Sequence, residues 1–216
     1  MSDLFDSIET ERRTEALADG AVILRGFALD VASELLAQID TISAQSPFRH
    51  LIVPGGKRMS VAMTNCGRLG WVSDTHGYRY EAIDPITQRA WPALPRVFTE
   101  LAQQAANAAG YHDELSTDAC LVNRYEPGSR LTLHQDRDEH DVQAPIISVS
   151  LGVPAIFVFG RNTRSGPTKR SRLVHGDVVV WGGVSRLAYH GVQPIAQAQH
   201  PATGSLRYNL TFRKVF

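Results

Sequence analysis

The chain has 216 residues, with 22 Lys+Arg against 22 Asp+Glu, so its formal net charge is zero. With 43% hydrophobic and 20% charged residues there is apolar material for the core of one large domain and too little charge for a disordered chain. The balance excludes a uniformly basic nucleic-acid coat or a polybasic membrane binder, though not a local basic patch.

In chain order, residues 1–20 hold six acids and two arginines, the wrong sign for a signal or transit peptide. They read as a loose arm or a short helix. Residues 21–27 read as a strand. Val31, Leu35, Ile39 and Ile42 share a helical face over 31–44, with Asp30 as the N-cap. A second helix is predicted over 95–109, with Pro95 in its first turn and Gly110 as its C-terminal cap. Residues 46–92, rich in Gly, Pro, Tyr and Trp, read as short strands and long loops, more lid than scaffold. From residue 118 short β-rich segments follow one another, at 119–125, 130–134, 146–151, 155–159, 172–174, 177–181, 187–190 and 206–213. The longest apolar stretch, 144–160, is broken by Ser148, Ser150 and Pro154, so no run of about 18 apolar residues is available to span a bilayer. The pattern predicts a mainly β protein with flanking helices, α+β, built on a jelly roll or small barrel. Cys66 and Cys120 lack metal-ligand spacing, which suits a reducing compartment; the expected location is the cytoplasm, with no membrane contact.

Three constellations can carry chemistry. On the last strand Leu206, Tyr208, Leu210 and Phe212 share one face, and Arg207, Asn209, Thr211 and Arg213 the other. The polar face either meets solvent or lines a barrel cavity. In a cavity the two arginines make an anion site, because guanidinium grips carboxylate through paired hydrogen bonds. Asn123 and Tyr125 likewise share a strand face, either as structural hydrogen-bonders or as further donors to a small dicarboxylate. His134 and Asp136 stand at i and i+2, on one side of a strand. A second histidine completes a two-His, one-carboxylate face, the arrangement of non-haem Fe(II) with open positions. A His-x-Asp triplet is short enough to arise by chance, and it occurs twice. His175-Gly176-Asp177 has a glycine at its centre and leads into Val178-Val179-Val180-Trp181, so it reads as a turn opening a buried strand. His134-Gln135-Asp136 ends an alternating strand and enters an acidic loop. His190, 54 residues after Asp136, can return to the same cavity; taken alone it has an ordinary structural reading too.

Taken together and in this order, His134-x-Asp136, His190 and Arg207-x5-Arg213 resemble the AlkB family of Fe(II)- and 2-oxoglutarate-dependent nucleic-acid dealkylases, most of all its bacterial branch. The segments Ser60-Val-Ala-Met-Thr-Asn-Cys-Gly67, Leu121-Val-Asn-Arg-Tyr125, Leu133-His-Gln-Asp136, Gly176-Asp-Val-Val-Val-Trp-Gly-Gly183 and Arg207-Tyr-Asn-Leu-Thr-Phe-Arg213 carry the likeness over nearly the whole chain. It implies a double-stranded β-helix core at 118–216. Before the core come an acidic arm at 1–20 and helices, strands and a nucleotide-recognition lid at 21–117, all one structural unit. It implies that His134, Asp136 and His190 hold iron, and that the C5 carboxylate of 2-oxoglutarate meets Arg207 and Tyr125. Arg213, Asn123 and Asn209 would hold the other end. The implied reaction uses O2 to hydroxylate an N-methyl group on 1-methyladenine or 3-methylcytosine in DNA, single strands preferred, and releases formaldehyde, succinate and CO2.

The same resemblance assigns Trp71 to stacking a flipped base against His134, Tyr78 to the substrate backbone, Asp138 to the base's exocyclic amine and Arg164 to the nucleic acid. The bland alternatives are a core Trp71 under the lid and a solvated acidic turn at 136–141. Residues 161–172 hold five basic and no acidic side chains, either a solvated loop or a phosphate grip. Lys57 departs from the aromatic or polar residue that the family leads one to expect, so its contacts, and those of the variable stretch 72–76, are not carried over. The expected partner is alkylated DNA, single- or double-stranded, bound by a monomer. The rivals are the same chemistry on RNA or tRNA, and a non-catalytic cupin-like module that binds a small acid.

Overall fold

A computed structural model describes residues 12–216. In chain order its strands are β1 (Thr14–Ala18), β2 (Ala21–Leu24), β3 (Ala62–Gly67), β4 (Gly70–Asp74), β5 (Gly77–Glu81), β6 (Ala119–Tyr125), β7 (Leu131–His134), β8 (Ile146–Gly152), β9 (Ala155–Phe159), β10 (Lys169–Leu173), β11 (Val178–Trp181), β12 (His190–Val192) and β13 (Arg207–Arg213). Helices α1 (Ala32–Gln45) and α2 (Arg96–Ala108) lie between them. The major sheet runs β1-β2-β11-β8-β13-β6-β3, the minor sheet β10-β9-β12-β7, and β4-β5 forms a separate hairpin. The pairings are antiparallel. This is the expected jelly roll, with a major sheet that draws strands from both sides of residue 118.

Two apolar layers hold it together. Leu35, Ile39 and Ile42 of α1 and Phe98, Leu101 and Ala105 of α2 pack on Val122, Val149, Val180, Leu210 and Phe212 of the major sheet. Phe98 meets Phe212 edge to face at 5.7 Å, a contact whose truncation to alanine costs about 3–5 kcal/mol. On the sheet's other face Ile23, Val179, Trp181, Phe157, Phe159 and Leu173 fill the space between the sheets. Strands β8 and β11 are therefore buried on both faces; β11 reads as a continuous apolar run, while β8 is interrupted by Ser148 and Ser150, which accept from Asn209 and Arg207.

The alternation read in β13 is present. Leu210 and Phe212 face the helices, while Arg207, Asn209, Thr211 and Arg213 are buried on the opposite face. The choice between solvent and cavity thus falls to the cavity.

Helix α2 ends as predicted. Gly110 has φ +88°, and the amides of Gly110 and Tyr111 donate to the carbonyls of Asn107 and Ala106, the paired bonds of a Schellman cap. Pro95 lies one position outside, with extended ψ 145°.

Four local readings are corrected. Residues 14–18 are a strand, paired along β2 and tied to it by Arg25 on Glu15 at 2.8 Å. Exposed charge hid the strand, because as an edge it buries only one residue, Leu17. Asp30 is no cap: it sits in a 3-10 turn and pairs with Arg12, and Val31 precedes α1 without a side-chain cap. The segment 187–190 is not a strand. A turn closes at Ala188, whose amide donates to Ser185, and the strand starts at His190. Strand β10 starts at Lys169, its basic side chains pointing outward at a sheet edge. The rest of the arm, residues 1–11, lies outside the described residues.

Candidate metal and cosubstrate site

Strands β7 and β12 pair with His134 directly opposite His190, and the two rings stand 4.4 Å apart. The register slips by one residue between His190 and Val192. Gly191 makes this possible, since a Cβ there would meet the Leu131 carbonyl oxygen at 2.7 Å. The Nδ1–H of His134 donates to Thr132 O at 2.8 Å and that of His190 to Ala188 O at 3.0 Å. Carbonyls only accept, so both rings commit Nδ1–H to the backbone and turn Nε2 inward. Asp136 lies beyond the end of β7, its oxygens 3.8 Å from His134 Nε2 and 3.9 Å from His190 Nε2. One ligand atom from each residue falls within 4.8 Å of the others, and no second cluster of this kind occurs among the described residues.

The protonation states suit a metal. Burial, helped by the nearby His134, lowers the His190 pKa to about 4, so its imidazole is neutral at ordinary pH. Burial, the largest single influence, opposes ionisation of Asp136, but the favourable interactions around it, Arg213 foremost, together outweigh burial and hold its carboxyl well below the usual range. Two imidazoles and one carboxylate are a donor set for a divalent first-row metal, Fe(II) included.

Arg213 lies against this cluster. Its Nε and Nη2 both donate to Asp136 Oδ2, at 3.0 and 2.8 Å. Its Nε also lies 3.3 Å from Glu139, which accepts from the Tyr80 hydroxyl at 2.5 Å and from Arg186 at 3.3 Å. At the other end of the same strand face Arg207 is fully buried over the Tyr125 ring, 5.0 Å from its centroid. Nη2 of Arg207 donates to Ser150 Oγ at 2.9 Å, while Nε and Nη1 find no hydrogen-bond acceptor. Burial without a facing carboxylate lowers its pKa and pushes that of the Tyr125 hydroxyl up to about 12. A buried guanidinium with two open donors fits an anionic group of a ligand. Between the arginines Asn209 donates to Ser148 and Val149 and accepts from Asn123 and Thr211, leaving Asn123 Oδ1 unpaired.

The lid hairpin closes beside the cluster. Gly70 is required there because a Cβ would lie 2.3 Å from the Trp91 ring. Trp71 is half-buried, fixed through its backbone by Asn65, and stacks on Tyr78 at 5.5 Å and 12°. Its Nε1–H donates to Asp138 Oδ2 at 2.8 Å, so these two predicted substrate residues meet each other. Tyr78 is exposed. Arg164 is exposed in the loop after β9, which leaves the sheet next to Phe159, the residue paired with His190. Of the basic segment, Lys169 is used within the fold, donating to Ala16 O at 2.8 Å.

His175-Gly176-Asp177 is the turn that its glycine indicated. Gly176 has φ +86°, Asp177 accepts from Arg25, Gly26 and Val174, and His175 accepts from the Gly152 amide. Residues that sequence reasoning missed are Tyr80, Glu139, Ser150 and Arg186. Glu139 was hidden in a turn that looked solvated yet buries it. Arg186 carried no signal beyond lying between the two histidine strands.

The 2OG-Fe(II) oxygenase superfamily profile matches residues 20–213. The chain is 58% identical over 214 residues to the alpha-ketoglutarate-dependent dioxygenase AlkB of Escherichia coli (strain K12), covering 99% of this chain and 98% of that one. It is 39% identical over 211 residues to the AlkB homolog of Caulobacter vibrioides, covering 94% of each. The solved structure of OsALKBH1 superposes with a TM-score of 0.83 at 29% identity, over 94% of this chain and 100% of that one.

Proposed function

Because this chain belongs to the AlkB family of 2OG-Fe(II) oxygenases, we propose that it repairs DNA by removing N-methyl groups from 1-methyladenine and 3-methylcytosine, single strands preferred. The enzyme is an Fe(II)- and 2-oxoglutarate-dependent dioxygenase. One observation carries the reading furthest: the cluster of His134, Asp136 and His190 is joined through Arg213 to the polar face of β13, which also carries a buried Arg207 with two open donors.

The bound metal and cosubstrate supply the oxidising power that turns an N-methyl into an N-hydroxymethyl group, which falls apart to the free base and formaldehyde while succinate and CO2 leave. The chain's residues aim that chemistry. Nε2 of His134, Nε2 of His190 and a carboxylate oxygen of Asp136 hold the metal. Arg207 receives the far carboxylate of 2-oxoglutarate beside Tyr125, and Asn123, Asn209 and Arg213 border its near end. The base must leave its stack to reach the cluster. Trp71, braced by Tyr78 and Asp138, is the flat side chain proposed to stack on the flipped base. Asp138 has a second oxygen for an exocyclic amine, and its charge suits the cationic lesions. Tyr78 and Arg164, both exposed, face the strand backbone.

A 1-methyladenine oligonucleotide with Fe(II), 2-oxoglutarate and O2 tests this. The expected result is formaldehyde matched by succinate, faster on single-stranded DNA than on RNA with the same lesion. Faster turnover on RNA selects the rival substrate. Tight 2-oxoglutarate binding with no turnover on either selects the small-acid binder, which a complete metal face disfavours. We further propose that the enzyme acts as a cytoplasmic monomer without membrane contact.

A further inference from the structure

We propose that Glu139 is a positioning residue that holds Arg213 on one oxygen of Asp136, leaving the other oxygen as the single carboxylate donor to the metal; this rests on the metal site proposed above. A guanidinium that meets a free carboxylate commonly engages both oxygens, one N–H to each. Here Nε and Nη2 of Arg213 converge on Oδ2 alone, at 3.0 and 2.8 Å. Glu139 Oε1 draws the Nε edge aside from 3.3 Å. Glu139 is itself clamped, by the Tyr80 hydroxyl on Oε1 at 2.5 Å and by Arg186 Nη2 on Oε2 at 3.3 Å. Arg186 is anchored in turn by donating to the carbonyls of Asp136 and Ala144, at 2.8 and 2.9 Å.

Asp136, Glu139, Arg186 and Arg213 are all buried, so none can move without stranding a charge. Two carboxylates against two guanidiniums balance to zero. Without the Glu139 charge the group becomes net positive beside a divalent cation. Arg213 is also released to fork over both Asp136 oxygens, in competition with the metal. Both effects weaken metal binding, so the direction is fixed. A one-oxygen carboxylate also keeps a coordination position open, which a chelating cosubstrate requires.

Anaerobic titration with Co(II), followed by its visible d–d absorbance with and without 2-oxoglutarate, reads the effect without turnover. Glu139→Gln should weaken Co(II) binding by about 10–100-fold, the usual range for outer partners of metal ligands, and shift the band. Tyr80→Phe, which keeps the charge and loses one hydrogen bond, should weaken it by about fivefold. Circular dichroism checks folding, and if Glu139→Gln does not fold, Tyr80→Phe carries the test. Variants that bind Co(II) like the parent, with an unshifted band, overturn the inference alone. A parent protein that binds no Co(II) overturns the functional reading, and this inference with it.

Discussion

Each ligand side chain contributes one donor atom, and each is replaceable. His134→Ala or Asp136→Ala is expected to reduce formaldehyde release to background. His175→Ala, in the other His-x-Asp triplet, should leave it near the parent rate, because His175 spends Nδ1 on the Gly152 amide and stacks on His200 at 4.4 Å. The opposite outcome would mean that the wrong triplet holds the metal. Arg207→Met removes a buried charge that has no acid opposite it. The ligand-free variant should melt no lower than the parent, while the stabilisation from saturating 2-oxoglutarate, about 2.7 kcal/mol at a hundredfold excess over Kd, should vanish. Acid acts through His190. Its folded pKa of about 4 lies below the unfolded value, so between about 6.5 and 4 the unfolded chain binds more protons and the metal-free fold weakens as pH falls. Unfolding free energies from urea titrations at pH 7.5 and 5.5 should differ by about 1 kcal/mol from this residue, lower at pH 5.5; equal values would contradict the buried neutral imidazole. The sequence exposed these residues where spacing encodes geometry, as in His134-x-Asp136 and the Arg207-to-Arg213 face. It hid Tyr80, Glu139 and Arg186, which meet one another across 59 and 47 residues of chain and whose burial depends on the finished fold.

At the scale of elements, the site is a consequence of register. Strands β7 and β12 bring the two histidines face to face only because Gly191 admits the neighbouring backbone. Gly191→Ala should therefore cost about 1–3 kcal/mol in overpacking and loosen metal binding although no ligand is changed, as thermal melts and Co(II) titration can measure. Unchanged metal affinity would show that the pairing tolerates the added methyl. Strand β11, buried on both faces, was legible as an apolar run, β8 as a mostly apolar segment carrying Ser148 and Ser150, and α2 through its Pro95 and Gly110 ends. Edge strands were not. Strand β1 buries only Leu17, and β10 displays Lys169, Arg170 and Arg172 to solvent, so each read as loop in part. Strand β12 was misplaced because Leu187-Ala188-Tyr189 is apolar without a turn residue, while its conformation is set by hydrogen bonds from distant chain, such as Gln135 to Leu187 O at 2.6 Å.

For the whole molecule, the zero net charge conceals an uneven distribution. Residues 1–20 hold six acids and two arginines, so they carry −4 and the remainder +4. Within the basic segment 161–172, Arg161 and Arg164 lie exposed in the loop that follows β9, the strand whose Phe159 pairs with His190. A grip on a few phosphates around one extruded base predicts modest affinity for single-stranded DNA that falls with salt, with a log–log slope near −0.7 per contact. Arg164→Ala should flatten that slope by about one contact; an unchanged slope would remove Arg164 from the interface. The central claim is that His134, Asp136, His190 and Arg207 form one site for metal and cosubstrate. Its most direct test is anaerobic addition of Fe(II) and then 2-oxoglutarate to the parent protein, with Arg207→Met and His134→Ala beside it. The parent should show a visible charge-transfer band, His134→Ala none, and Arg207→Met one that needs far more 2-oxoglutarate. No band in the parent, or identical bands in all three, would contradict the claim.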